Sequence, residues 1–283
     1  MPNVSAFAVL LGRLKAHLVV HWHADVVTER QRSLKALYPF YAILEKKLLQ
    51  RADRVIATSH PYLEASRPLQ AFREKCRVVS LGLDCNRVRS TDPKDVERVR
   101  SGFVGHQLVI AVGRFSYYKG FEHLIRAAAM LPKIAVCIIG EGPMRGACQR
   151  LVERLQLVDR VSLPGTLAED ELWLHYAACD VLCLPSIERT EAFGMVLLEA
   201  MACGKPLVTT RVAGSGMSFV NVHGLTGLQV APEDPEELAR ALRRLLRDPG
   251  RAAAMGQAGR KRLHELFTMK TIAQQVEALY ATI

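Results

Sequence analysis

Short apolar, β-branched runs alternate with helix-length segments through almost the whole chain, and this alternation limits the fold more than any other feature. Leu18–His21, Arg54–Thr58 and Arg77–Ser80 read as strands. Between the first two, Arg32–Arg51 carries apolar residues at Leu34, Leu37, Tyr41, Leu44, Leu48 and Leu49, the three-and-four spacing of a helix. Tyr62–Lys75 reads as a second helix. Ser90–Gly105 is polar, with Pro93 and Gly102, and is expected to be a linker with a short helix. A second series follows, with strands at Leu108–Val112, Ala135–Ile139, Val161–Leu163, Val181–Leu184, Leu207–Thr209 and Gly227–Val230. Helices are expected at Gly120–Leu131, Met144–Leu155, Glu169–Ala178, Met195–Ala202, Pro235–Leu246 and Met269–Ala281. Such alternation predicts an α/β fold with parallel sheets covered by helices. In such sheets ligands sit at the carboxyl ends of the strands.

The chain has 283 residues, room for one large or two small domains, and ordinary globular composition excludes a disordered chain. The formal charge of +10 favours anionic partners. No apolar run is long enough for a membrane helix, and no leader pattern of a basic then an apolar segment opens the chain. The seven cysteines include no Cys-x-x-Cys pair, so buried reduced thiols are expected. Nucleic acid is not an expected partner, because no recognised module accompanies the basic residues and aromatics are 6%. Arg240, Arg243, Arg244 and Arg247 share one helix side. That face and the basic residues around the linker suit an anionic lipid surface better.

Four motifs can carry chemistry. Gly113-Arg114-Phe115-Ser116-Tyr117-Tyr118-Lys119-Gly120 follows a strand and precedes a helix. Such a loop aims backbone N–H groups at a ligand, and its two cations can grip a diphosphate or simply face solvent. Gly140-Glu141-Gly142-Pro143 is a turn, not the dinucleotide fingerprint. Glu191 and Glu199 are eight positions apart. On a continuous helix that is about 80° of rotation and about 12 Å of rise, so they would touch different parts of one extended ligand. The alternative is a helix N-terminal carboxylate and a salt-bridging one. His21 and His23 flank Trp22 after the first strand. A third metal ligand of suitable spacing is lacking, so no metal is expected, and a structural or acid/base histidine remains.

The order Gly-Arg…Lys-Gly, then Gly-Glu-Gly-Pro, then Ala-Cys-Asp-Val-Leu-Cys-Leu-Pro-Ser, then Glu-Ala-Phe-Gly…Glu-Ala-Met-Ala-Cys-Gly-Lys-Pro resembles the family-4 retaining glycosyltransferases of GT-B architecture. The resemblance implies two Rossmann-like domains facing a cleft. It implies residues 1–100 as a partial acceptor-side domain and linker, 101–266 as the nucleotide-sugar-binding domain, and 267–283 as a helix crossing back. It implies Arg114 and Lys119 on the donor diphosphate, Glu191 on the sugar hydroxyls and Glu199 on the ribose. Phe193, Gly194 and Met195 fall beside sugar and phosphate. Gly113, Gly140 and Gly142 line the donor pocket, Leu167 lies near the base, and His23 near the reactive face of the sugar. The catalytic set so implied is Glu191, His23, Arg114 and Lys119. The implied reaction moves a hexose, mannose being favoured, from a GDP- or UDP-sugar to a polysaccharide or lipid-linked glycan, without a tightly bound cofactor. The implied location is cytoplasmic, peripheral at the inner membrane face. A helix is expected over 1–14, in place of the first strand–helix units of the family's first domain. About half of that domain is therefore expected to be absent. The chain would then transfer sugar itself, or bind donor and rely on a partner chain.

Overall fold

The computed structural model describes residues 9–10, 12, 16–26, 32–88 and 91–283. The helix expected over 1–14 therefore lies, apart from Val9, Leu10 and Gly12, outside the described residues.

Two parallel sheets form, as the alternation predicts. The first has the order β1 (Val19–Trp22), β2 (Arg54–Ala57), β3 (Cys76–Val78). The second has six strands in the order β6-β5-β4-β7-β8-β9. These are β4 (Gln107–Val112), β5 (Ile134–Ile139), β6 (Val161–Gly165), β7 (Val181–Leu184), β8 (Leu207–Thr210) and β9 (Gly227–Val230). The order reverses between β4 and β7, so their following loops diverge to opposite sides and leave a crevice at the carboxyl edge. β4, β5, β7, β8 and β9 are buried at nearly every position, which explains their unbroken Val/Ile/Leu runs.

The connecting helices are α1 (Arg32–Arg51), α2 (His60–Ala65), α3 (Arg67–Gln70), α4 (Pro93–Ser101), α5 (Phe121–Ala129), α6 (Arg145–Arg154), α7 (Glu169–Ala178), α8 (Met195–Ala202), α9 (Met217–Val220), α10 (Pro235–Leu246), α11 (Pro249–Leu266) and α12 (Met269–Tyr280). The single helix expected over Tyr62–Lys75 is instead α2, α3 and a 3₁₀ turn at Arg73–Lys75. Pro68 is the cause: it lacks the N–H that a continuous helix would donate to the Glu64 carbonyl and its ring would clash there, so the chain breaks at the extended Ser66 and Pro68 stands in the first turn of α3. α11 was not foreseen. Its buried positions are Met255, Gly256, Gly259 and Leu263, so glycines stand where an apolar stripe is sought. A Cβ on Gly256 would lie 1.9 Å from the Gly204 carbonyl oxygen, and only glycine permits that approach.

α4, in the expected linker, docks on the second sheet. Arg100 makes two 2.8 Å bonds to Asp180, which also accepts from the Leu108 N–H at 2.7 Å. α12 crosses back to the first sheet, where Leu279, Ile272 and Val276 pack with Ile56 and Val79. None of the seven cysteines is in a disulfide, and five are buried. Burial pushes the Cys137 and Cys179 thiols up to about 12.

Glu45 on α1 is buried, with Oε1 lacking a partner among the described residues and Oε2 accepting from the Tyr38 hydroxyl at 3.3 Å. Burial raises its carboxyl to about 7. The folded state therefore holds a proton that the unfolded state releases, and stability falls as pH rises from about 4.5 to about 7. Melting temperature measured across pH 5–8 should decline over that window, and Glu45→Gln should flatten the decline.

Candidate active site

The loop after β4 is built around Phe115, which is fully buried and meets Phe121 edge-on at 5.0 Å. With Phe115 anchored inward, Arg114 is exposed and Lys119 turns inward, 7% exposed. Gly120 has φ +62°, and a Cβ there would lie 2.3 Å from the Pro185 carbonyl oxygen. That close approach brings Lys119 against the loop after β7.

Lys119 Nζ lies 2.5 Å from Glu191 Oε2. The Ser186 hydroxyl reaches the same oxygen at 3.2 Å, and the Ser215 hydroxyl donates to the Glu191 carbonyl at 2.5 Å. Glu191 is 8% exposed. A carboxylate buried to this degree needs a charged partner, and Lys119 supplies it. Glu191 precedes α8 rather than lying on it, so the helical geometry expected for Glu191 and Glu199 does not apply. The intervening Gly194, at φ +85°, breaks the backbone before the helix begins. Glu199 sits within α8, and its Oε2 accepts from the Tyr176 hydroxyl at 2.5 Å. Burial raises its carboxyl, opposed by the Tyr176 bond and by Arg87.

The loops after β4, β5 and β6 are joined backbone to backbone. Gly113 N–H donates to Ile139 O at 2.9 Å, Phe115 N–H to Glu141 O at 2.9 Å and Gly140 N–H to Gly165 O at 2.8 Å. A Cβ on Gly140 would lie 2.1 Å from Gly113 O, and one on Gly142 would lie 2.6 Å from Phe115 O. These glycines are the price of bringing three loops into one floor. Leu167 is half-buried and packs into the core beneath that floor.

Phe193 is a core residue, 3% exposed and edge-on to Phe267 at 6.0 Å. Gly194 caps α8 with no side-chain hydrogen bond to the first turn. Met195, at the start of that helix, lines a cavity of about 240 Å³ whose walls include His23, Thr58, Met269 and Ile272. The cavity thus joins β1, β2, α8 and α12, and His23 and Met195 both line it. His21 and His23 stack at 6.4 Å. Burial lowers the His21 pKa, and the charge on His23 adds to this.

Sequence reasoning missed the contacts made by Ser186, Ser215 and Tyr176, although Ser186 closes the Ala-Cys-Asp-Val-Leu-Cys-Leu-Pro-Ser motif: a single hydroxyl has no spacing signal of its own. It also missed Asp25 and Arg189, whose 2.5 Å contact links the segment after β1 to the loop after β7. Arg240, Arg243 and Arg244 of α10, with Arg247, Asp248 and Arg251, line a separate concavity of about 430 Å³. Among the described residues no group of three His, Cys, Asp or Glu side chains is placed to hold a metal, and no helix is long and apolar enough to cross a membrane.

Two parallel sheets, a crevice at the carboxyl edge of the second, and a terminal helix returning to the first define the GT-B architecture of glycosyltransferases. The Anabaena protein HepE in complex with UDP has this fold, with a TM-score of 0.85 and 27% identity over 99% of this chain and 76% of that one. Sucrose-phosphate synthase from Thermosynechococcus elongatus matches at a TM-score of 0.83 and 29% identity, covering 99% of this chain and 71% of that one. Residues 94–262 match the family described as glycosyl transferases group 1, and residues 1–82 match a glycosyl transferase 4-like domain. This chain belongs to the glycosyl transferases group 1 family.

Among its relatives, O-antigen chain mannosyltransferase C of Escherichia coli is 30% identical over 97% of this chain and 71% of that protein. The D-rhamnosyltransferase WbpZ of Pseudomonas aeruginosa is 34% identical over 88% of this chain. The chain spans 63% of WbpZ, and 49% of a GDP-mannose-dependent mannosyltransferase of Mycolicibacterium smegmatis.

Proposed function

We propose that this chain binds a nucleotide-diphosphate sugar in the crevice and transfers its hexose, with retention, to a glycan or lipid-linked acceptor. The observation that carries the reading is the buried Lys119–Glu191 pair at the carboxyl edge of the second sheet. It holds a cation and a carboxylate in fixed positions before any donor arrives, and preorganised charge is what a departing diphosphate requires. In this reading Lys119 and the exposed Arg114 take the diphosphate, beside the uncapped first turn of α8. Glu191 takes the sugar hydroxyls. Glu199 takes the ribose, with Tyr176 orienting its carboxylate. His23, across the cavity from Met195, faces the sugar. The division into donor-side and acceptor-side domains near residue 100 belongs to the same proposal. GDP-mannose is the favoured donor, since two of the relatives are named mannosyltransferases. The test is to incubate the purified chain with GDP-mannose, UDP-glucose and ADP-glucose, with bacterial lipid-linked acceptors, and to follow release of nucleoside diphosphate. Release from one donor supports the reading, and release from none opposes it.

A second reading, a donor-binding chain completed by another polypeptide, is favoured by one observation. β1 is an edge strand among the described residues, and α1 exposes Leu37, Phe40 and Ile43 at 61%, 71% and 56%. An open strand edge and an exposed apolar row are each surfaces that proteins usually cover. Transfer by the isolated monomer would exclude this reading.

A further inference from the structure

We propose that Asp25 and Arg189 are a positioning pair that couples closure of the two sheets to assembly of the site around Glu191. Their contact spans 164 positions of sequence.

Asp25 is fixed to the first sheet. Its side chain is 8% exposed, and Oδ1 accepts from Trp22 Nε1 at 2.8 Å and from the Ser66 hydroxyl at 2.7 Å. Its N–H donates to the Tyr62 hydroxyl. The remaining oxygen, Oδ2, receives Arg189 Nη2 at 2.5 Å. The Arg189 guanidinium also lies over the Tyr62 ring, 5.2 Å from its centroid. Charge, hydrogen bond and ring thus converge on one side chain reaching across from the second sheet.

Arg189 stands two residues before Glu191, on the loop that joins β7 to α8. That loop turns on the Glu191 N–H to Glu188 O bond of 3.0 Å. Ala192, one residue further, packs into the core of the first sheet. A neighbouring segment makes the same crossing: Gly214, at φ +71°, leaves its missing Cβ position only 2.3 Å from Ala65 Cβ. The loop that carries Glu191 is therefore shaped by the first sheet as much as by the second. If the sheets part, Arg189 loses its carboxylate and the Tyr62 ring, while its Nη1, buried with no partner among the described residues, would hydrate and offset part of that loss. The pair favours the closed arrangement and sets the loop conformation in which Glu191 meets Lys119.

The test is hydrogen exchange on the full chain for wild type, Asp25→Asn, Arg189→Gln, the double variant and Arg189→Lys. Amides of 187–193 and 23–26 should exchange about tenfold faster in both single variants, because local opening sets their rate. The double variant should be no faster than the singles, since both remove one interaction, and Arg189→Lys should restore part of the protection. Unchanged exchange in Arg189→Gln, or additive effects in the double variant, would overturn the proposal. The catalytic arm rests on the transferase reading: with a donor that wild type turns over, Arg189→Gln should lower kcat about tenfold and alter donor KM less than about threefold. A kcat unchanged by Arg189→Gln would also overturn it. Absence of turnover in wild type would count against the transferase reading alone, and the exchange result would still decide the pair.

Discussion

Glu191→Gln is expected to lose transfer by about 10²–10³-fold, the scale of removing one preorganised charged or hydrogen-bonding group from a transition state. The substitution keeps the shape of the side chain and removes its charge. Lys119, whose side chain is 8% exposed, is then left buried without an ionic partner. Breaking a pair of this kind costs about 3 kcal/mol, so the melting temperature should fall roughly 6–12 °C. Stability and chemistry can be separated. Lys119→Met combined with Glu191→Gln removes the orphaned cation, so the double variant should regain part of the lost melting temperature and remain inactive. Transfer by Glu191→Gln at the wild-type rate would remove this carboxylate from the mechanism.

Gly140→Ala is expected to damage both the fold and the donor floor. The residue has φ +137°, and a Cβ would lie 2.1 Å from the Gly113 carbonyl oxygen, a backbone atom that cannot step aside. Backbone strain and overpacking together cost about 3–5 kcal/mol, which corresponds to a melting temperature lower by roughly 6–20 °C. The loop that must shift is the one that carries Arg114 and Lys119, so nucleotide affinity should fall by at least about tenfold, or 1.4 kcal/mol. Gly224→Ala is the control. That glycine has φ +80° with nothing within 4 Å of a Cβ, so only the conformational strain, about 1 kcal/mol, should appear.

Five strands of the second sheet, β4, β5, β7, β8 and β9, were legible because they are buried on both faces. A run such as Val181–Leu184 between polar boundaries has few alternatives, and its observed limits match the expected ones. α8 was legible for the same reason, closed by Gly194 on one side and Gly204 on the other. α11 was not, because its inward stripe is made of glycines chosen for a close crossing. The break before α3 was visible in the sequence, since Pro68 stands inside the helix expected over Tyr62–Lys75. In the site, the residue types at Glu191, Lys119 and Glu199 stood out through their motif. Their arrangement did not. Lys119 and Glu191 are 72 positions apart and meet only because β4 and β7 are neighbours in the sheet. Ser186 and Ser215 act by where the fold puts them. Asp25 and Arg189 belong to different sheets, and periodicity says nothing about how two sheets face each other.

The central claim is that the crevice at the carboxyl edge of the second sheet is a donor site. It is tested most directly by calorimetric titration of GDP, UDP and ADP into the purified chain, repeated with Glu199→Ala. The account predicts that one nucleoside diphosphate binds selectively, and that Glu199→Ala weakens it by about tenfold through loss of a ribose contact. A folded chain that binds none of the three, or binds one equally well without Glu199, would contradict it.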